Sequence, residues 1–356
     1  MRQHLARAPE CRHHESEYER GGGGSVLDER VLVAGAGGFI GGHLVKYLAG
    51  QGFSRIRAVD IKPVGQWFQV HPQAEVMQLD LRSPSAARQA VDGCGSVVNL
   101  AADTGGVGFS SRSRARCALS VVLNAGLLSA AAEAGARRYL FASSACVYPE
   151  HLQASADAAG LPEEDAYPAM PEDGQGWEKL LGERMCRYVT EELGLPTRVA
   201  RYFSVYGSHG PWHGGREKAP AALCRKVAEA IHAGAEEIEV WGDGDQTRTF
   251  LHVDDCVRGT LMILQGDLAT PVNLGSPELV SVNQLLDVIE EIAGVRMKRR
   301  YNLGAPAGVR GRRSDNALLR SAFGWEPSIR LREGMAETYR WVYDQVSART
   351  LTSRRG

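Results

Sequence analysis

From residue 30 onward the chain repeats one rhythm: a short β-rich apolar run, a turn, then a helical stretch. The runs fall at 31–34, 56–59, 76–79, 97–100, 139–142 and 198–202. Runs without polar alternation are strands buried on both faces, and parallel strands need connections long enough to hold a helix. The rhythm therefore predicts an α/β fold built on a doubly wound parallel sheet covered by helices on both sides. After Tyr206 the alternation weakens and Gly, Pro and Trp become frequent, as in 207–215 and Trp241-Gly242-Asp243-Gly244. A smaller mixed α/β domain is expected there. The expected division is a tail over 1–27 and a first domain over 28–206 plus 250–268. A second domain follows over 207–249 plus 269–346, then a C-terminal tail over 347–356.

Composition narrows the partners. With 44% hydrophobic and 23% charged residues in 356, the chain reads as globular and long enough to bury sizeable cores. Lysine plus arginine number 41 against 42 acidic residues, so no global basic field exists to hold nucleic acid or an anionic membrane. An anionic ligand must be met by local groups. Seven cysteines, Cys11, Cys94, Cys117, Cys146, Cys186, Cys224 and Cys256, are widely spaced with no C-x-x-C pair, which suggests neither a disulfide framework nor a metal site. No uncharged apolar stretch reaches the roughly 18 residues of a membrane span, and the N-terminus lacks the apolar centre of a secretory signal. A cytoplasmic location is expected.

The first run opens directly into Gly35-Ala36-Gly37-Gly38-Phe39-Ile40-Gly41 with a helix behind it. Glycines at 35, 38 and 41 permit a tight turn, while Phe39 and Ile40 start the helix. Backbone N–H groups and the helix N-terminus can then approach a pyrophosphate. Asp60 ends the second run, 19 residues after Gly41, where a carboxylate can accept hydrogen bonds from ribose hydroxyls. Because that carboxylate repels a 2′-phosphate, NAD is expected rather than NADP, although Lys62 close by works in the other direction. Asp80 and Leu81 after the third run, and Leu100, Ala101 and Ala102 after the fourth, would flank the adenine and pyrophosphate.

Ser143-Ser144-Ala145-Cys146-Val147-Tyr148, together with the glycine turn and Asn99-Leu100-Ala101-Ala102, resembles the extended short-chain dehydrogenases/reductases that act on nucleotide sugars. More narrowly, Asp103 to Phe109, Ser144 to Glu150, Gly214-Gly215-Arg216-Glu217-Lys218-Ala219-Pro220-Ala221-Ala222, Trp241 to Arg248 and Gly308 to Asp315 resemble the GDP-mannose 3,5-epimerase family. The resemblance covers about residues 30 to 345. It implies an isomerase with a Rossmann domain, NAD as cofactor, a GDP-hexose as substrate and a homodimer. It also implies a cycle in which C4 of the hexose is oxidised, a 4-keto group acidifies the C–H bonds at C3 and C5, and the hydride then returns.

Carried over by position, Cys146 matches the family's base and Lys218 its acid, while Ser144 and Lys179 match two members of its redox triad. Substrate contacts would come from Gly105, Gly106, Ser144, Ala145, Cys146 and Ser204, and from Glu217, Lys218 and Ala219. In the second domain Lys226, Gln246, Thr247, Arg248, Arg310 and Arg312 would complete them, arginine's planar fork suiting a diphosphate. The triad's tyrosine is absent: Gln175 stands four residues before Lys179, and none of the eleven tyrosines has a lysine four residues on. An amide can hydrogen-bond a hydroxyl but cannot accept its proton. Ser204 stands where the family has asparagine, Ser208 where it has proline, and Leu119-Ser120-Val121 replaces Asn-Asn-Thr/Val. Three alternatives stay open beside 3,5-epimerisation: a 4-epimerase, an epimerase of a sugar already oxidised at C4, and a sugar-nucleotide-binding protein without turnover. A dehydratase is disfavoured, since Ala145-Cys146 follow Ser144 in place of its Asp-Glu pair.

Overall fold

The structure, a computed structural model, describes residues 26–353. The expected N-terminal tail lies outside them except for its last residues, which enter a 3-10 turn, Val26–Asp28. Among the described residues the main sheet has seven strands, β1 (Val31–Ala34), β2 (Ile56–Asp60), β3 (Ala74–Gln78), β4 (Ser96–Asn99), β5 (Arg138–Ser144), β6 (Thr197–Tyr202) and β7 (Val272–Leu274). Their order is β7-β6-β5-β4-β1-β2-β3, all parallel, with the reversal of winding between β1 and β4. Successive side chains of β1 feed opposite cores, as the two-residue period of a strand requires. Val31 and Val33 pack with Leu44 and Leu48 of α1 (Phe39–Gly50). Leu32 and Ala34 pack with Ala87 of α2 (Pro84–Val91), Leu127 and Leu128 of α3 (Ser120–Glu133) and Cys186 of α4 (Gln175–Leu193).

A third core lies between α5 (Ala219–Ala233), α7 (Val282–Ala293) and α8 (Leu331–Ser353), and holds Leu223, Val227, Leu285, Ile289, Met335 and Val342; α6 (Val253–Gln265) packs back on α1. Helix α7 begins with a reciprocal Ser281/Gln284 capping box and ends on left-handed Gly294. Beside this core stand a four-stranded sheet, ordered Leu279–Ser281, Thr247–Thr249, Gly311–Ser314, Gly160–Leu161, and a parallel pair of Glu237–Trp241 with Lys298–Asn302.

Three expectations about organisation need correcting. Strand β7, expected in the second domain, joins the main sheet beside β6. Gly160–Leu161, expected in the first domain, pairs with Gly311–Ser314 of the smaller sheet. At three and two residues, these strands are too short for a periodic signal. The expected C-terminal tail begins instead as a continuation of α8, which runs to Ser353 because no Gly or Pro interrupts it. The 20 residues Arg114–Glu133 are apolar enough by length and composition to cross a membrane. Here they form a short helix, Arg114–Ala118, and α3, whose inner face packs in the second core.

Candidate active site

The turn after β1 is forced by contacts that exclude side chains. Gly35 has φ +83°, and a Cβ there would lie 2.9 Å from the Ala101 nitrogen; one on Gly41 would lie 2.2 Å from the Gly35 carbonyl oxygen. The N–H groups of Gly35 and Ala36 both donate to Val59 O at the end of β2, and Gly38 caps α1. Phe39 and Ile40 pack their side chains on the first core, so their share of the loop is backbone. Asp60 is 7% exposed and accepts from Lys62 N at 3.0 Å. The Lys62 ammonium donates to Gly37 O at 2.8 Å, and burial lowers its pKa against the opposing pull of Asp60. Clamped on the loop, Lys62 supports the turn. Ala101 N donates to the Asn99 side chain at 3.1 Å and Leu100 and Leu81 join the cores, while Asp80 forks to Arg82 at the surface. Asp60→Ala should weaken NAD binding by roughly 1–3 kcal/mol, the range for hydrogen bonds to a charged group. Calorimetric titration giving an unchanged Kd would remove Asp60 from the site.

At the end of β5, Ser144 Oγ accepts from Cys146 N at 3.2 Å and starts the 3-10 turn Ala145–Val147. This turn presents Cys146, half-buried, to the cleft, while Ala145 and Val147 are buried. The cleft's cations converge on its thiol. Arg312 Nη1 lies 4.0 Å from Sγ. Arg248 and Lys218 are both near enough to interact with the Cys146 charge. Arg248 is tied to the carbonyls of Thr247 and Val309 at 2.6 Å each, and burial brings its pKa down to about 10. Lys218 stands at the N-cap of α5 and is exposed to solvent; desolvation of its ammonium lowers its pKa against the pull of Cys146, and the positive end of a helix works in the same direction as the desolvation.

Lys218 is anchored from the first domain. Gly106 N donates to Arg216 O at 2.9 Å, and a Cβ on Gly106 would lie 2.3 Å from Glu217 O. The Arg216 guanidinium meets Asp103 at 2.7 Å and lies 3.8 Å over the Phe109 ring, whose Cβ crowds Gly105. Asp103 N in turn donates to Ser120 Oγ at 2.9 Å, so the replacement at 120 fastens this loop. Gly105 and Gly106, expected to let backbone approach a sugar, therefore admit protein. Glu217 accepts from Gly215 N and Arg225.

Of the triad positions, Gln175 and Lys179 lie on α4 and Ser144 ends β5. Lys179 is 5% exposed, with its ammonium 3.3 Å from Glu178 and 4.8 Å over the Phe141 ring. Gln175 opens α4, and a Cβ on the next residue, Gly176, would lie 2.4 Å from the Cys146 carbonyl oxygen. The helix thus starts against the turn that carries Cys146. Ser204 holds φ +40°, a left-handed conformation that asparagine tolerates better than serine.

Other expected contacts are engaged within the protein. Lys226 donates to Glu239 O at 2.8 Å and Arg310 forks to Asp243 at 2.7 Å. Thr247 Oγ1 donates to Ala156 O at 2.5 Å, and the Gln246 amide nitrogen to Trp241 O at 2.8 Å, leaving its buried Oε1 without a partner. Ala219 is exposed at the first position of α5. Glu172 was not anticipated: its carboxylate pairs with Arg312 Nη2, and its N–H donates to Cys146 O at 2.9 Å. The acid carries no motif in the sequence; only its nearness to Gln175 hints at it.

A Rossmann sheet with this glycine turn, an acid ending β2, and a thiol facing lysine and arginines across a cleft define a class. The chain belongs to the NAD dependent epimerase/dehydratase family, whose model matches residues 31–275. It is 39% identical over 318 residues to GDP-mannose 3,5-epimerase 1 of Oryza sativa subsp. japonica, spanning 89% of this chain and 82% of that one. To GDP-mannose 3,5-epimerase of Arabidopsis thaliana it is 37% identical, spanning 89% and 83%. Among solved structures it is similar to UDP-glucose 4-epimerase with UDP-glucose from Thermotoga maritima, with a TM-score of 0.79, 25% identity and coverage of 89% and 99%. MoeE5 in complex with UDP-glucose and NAD matches with a TM-score of 0.73, 30% identity and coverage of 90% and 99%. Its relatives are NAD-dependent nucleotide-sugar epimerases, and NAD is its cofactor. The residues fit that group: glycines at 35 and 41 let the loop fold tightly ahead of the N-terminus of α1, where backbone N–H groups suit a pyrophosphate, and buried Asp60 suits the ribose.

Proposed function

We propose that the chain is an isomerase inverting C5, C3 or both in a GDP-hexose through a 4-keto intermediate. When bound, NAD takes and returns the C4 hydride. Cys146 removes a proton α to the carbonyl on one face, and Lys218 returns one from the opposite face. The observation that carries this reading is the convergence of one thiol with Lys218, Arg248 and Arg312. The thiol is the group on this wall that can take a proton from carbon, and a lysine with a lowered pKa gives up its proton more readily. Ser144 shapes the turn that aims the thiol, and Arg248 and Arg312 suit the substrate's negative charge.

Gln175 supports a second reading, in which the sugar arrives already oxidised at C4, because an amide cannot take the hydroxyl proton. Both readings share one test. Supplied with a 4-keto GDP-hexose in deuterated water, the protein should incorporate deuterium at C3 or C5, read by mass spectrometry and NMR. No incorporation would overturn both.

The chain is further proposed to act as a cytoplasmic homodimer. Leu119, Val122, Leu181 and Tyr188 are 45% to 64% exposed at the start of α3 and along α4, two helices that pack side by side. A face shared by two adjacent helices can meet its own copy about a two-fold axis. Val122→Glu with Leu181→Glu should halve the mass seen by sedimentation, and a wild-type chain sedimenting as a monomer would overturn the assignment.

A further inference from the structure

The geometry points to Glu172 as the proton acceptor for the C4 hydroxyl, in place of the tyrosine that Gln175 replaces. This rests on the 4-keto reading above and assigns it a group that can start the cycle from an unoxidised sugar. Glu172 and Gly176, the residue after Gln175, meet at one atom, the Cys146 carbonyl oxygen. Glu172 N donates to it at 2.9 Å, and at the start of α4 a Cβ on Gly176 would lie 2.4 Å from it, so only glycine fits there. The chain reverses between them at Gly174, φ +73°, so the side chains of Glu172 and Gln175 both start beside the turn that carries Cys146.

A single guanidinium also spans thiol and carboxylate: Arg312 Nη1 faces Cys146 Sγ and Nη2 pairs with Glu172 Oε1. The Glu172 side chain is 26% exposed and that of Arg312 11%, so the carboxylate reaches solvent beside the half-buried thiol. A thiol that deprotonates C3 or C5 works on a carbon bonded to C4, which brings the C4 hydroxyl to this wall. In the oxidation the O–H bond breaks and its electron pair forms the C4=O bond. The proton goes to the Glu172 carboxylate while the C4 hydride leaves to the nicotinamide. On the return the same carboxyl gives its proton back to O4. Substrate charge competing for Arg312 frees the carboxylate when the sugar is bound.

The test compares the wild-type chain with Glu172→Gln in three measurements: the single-turnover burst of NADH with a GDP-hexose, deuterium exchange into the 4-keto sugar, and the Kd for the GDP-hexose. The wild type should give a burst. Glu172→Gln should reduce its rate about 10²- to 10⁴-fold, the usual span of general acid–base help. Exchange should stay within about threefold, because it requires no proton transfer at O4, and the Kd should not rise, because an amide competes less with the substrate for Arg312. Adding Gln175→Tyr to Glu172→Gln should restore the burst. No wild-type burst, a burst unchanged in Glu172→Gln, or burst and exchange falling together would each overturn the assignment, the last making Glu172 a positioning residue for Arg312. Loss of exchange in the wild type would instead count against the two-base reading, since the burst tests Glu172 separately.

Discussion

Cys146→Ala is expected to abolish solvent-deuterium incorporation into a 4-keto GDP-hexose, a loss of about 10²–10⁴ in rate or more. The carbonyl already acidifies the neighbouring C–H bonds, so the assay needs no oxidation at C4 and isolates the thiol. Lys218→Ala should behave differently. It should impair inversion, read as the epimer formed, yet leave some exchange on the cysteine face, where one group can remove and return the same proton. The side chain of Cys146 is half-buried with its neighbours Ala145 and Val147 carrying the packing, so the alanine variant should keep the fold and its NAD content. Exchange equal in the wild type and in Cys146→Ala would overturn the assignment of the thiol.

The second large effect concerns the support beneath that turn. Arg201 and Glu183 are buried and bidentate, with Nε to Oε1 at 2.9 Å and Nη2 to Oε2 at 2.7 Å. Burial alone would lower the pKa of the guanidinium, but Glu183 outweighs it and holds it up. Around the pair, Ser143 donates to Glu183, and Arg201 donates to the Tyr148 hydroxyl at 3.0 Å and to Glu163 O at 2.7 Å. Tyr148 completes the network by donating to Asn273 of β7 at 2.6 Å. Arg201→Met leaves Glu183 buried without its cation, which typically costs about 3–5 kcal/mol. The denaturation midpoint should fall by the equivalent amount at an unchanged slope. Arg201→Met with Glu183→Leu should recover much of the loss, because the uncompensated charge is gone. A loss under about 1 kcal/mol in the single variant would mean that water or a rearranged partner reaches the carboxylate.

What could be read before the structure was known was local. The glycine turn declares itself in seven residues, and Asp60 follows at a fixed distance because a helix and a return strand have set lengths. Cys146 and Lys218 stand in two short runs whose resemblance to one family is dense. What could not be read depends on contacts between distant segments. Gly160–Leu161 has no period to reveal that it completes a sheet with Gly311–Ser314, and β7 is three residues long. Lys226 and Arg310 resemble free anion-binding charges in sequence, yet Glu239 and Asp243 hold them. Glu172 acquires meaning only because Arg312, 140 positions later, folds onto it. The rise in φ at Ser204 likewise belongs to the turn between β6 and Val205–Tyr206 and leaves no trace in composition.

The anchoring of Lys218 has a consequence for motion. The lysine sits at the first turn of α5, whose body belongs to the smaller domain, and in a simple jaw it would travel with that domain. Its approach segment, however, is fastened through Gly106, Asp103 and Phe109 to the loop that follows β4, and Cys146 follows β5, the strand next to β4. The proposed acid and base are therefore mounted on a common frame. Closing or opening the cleft can change how tightly a sugar nucleotide is gripped while the spacing between Lys218 and Cys146 stays set.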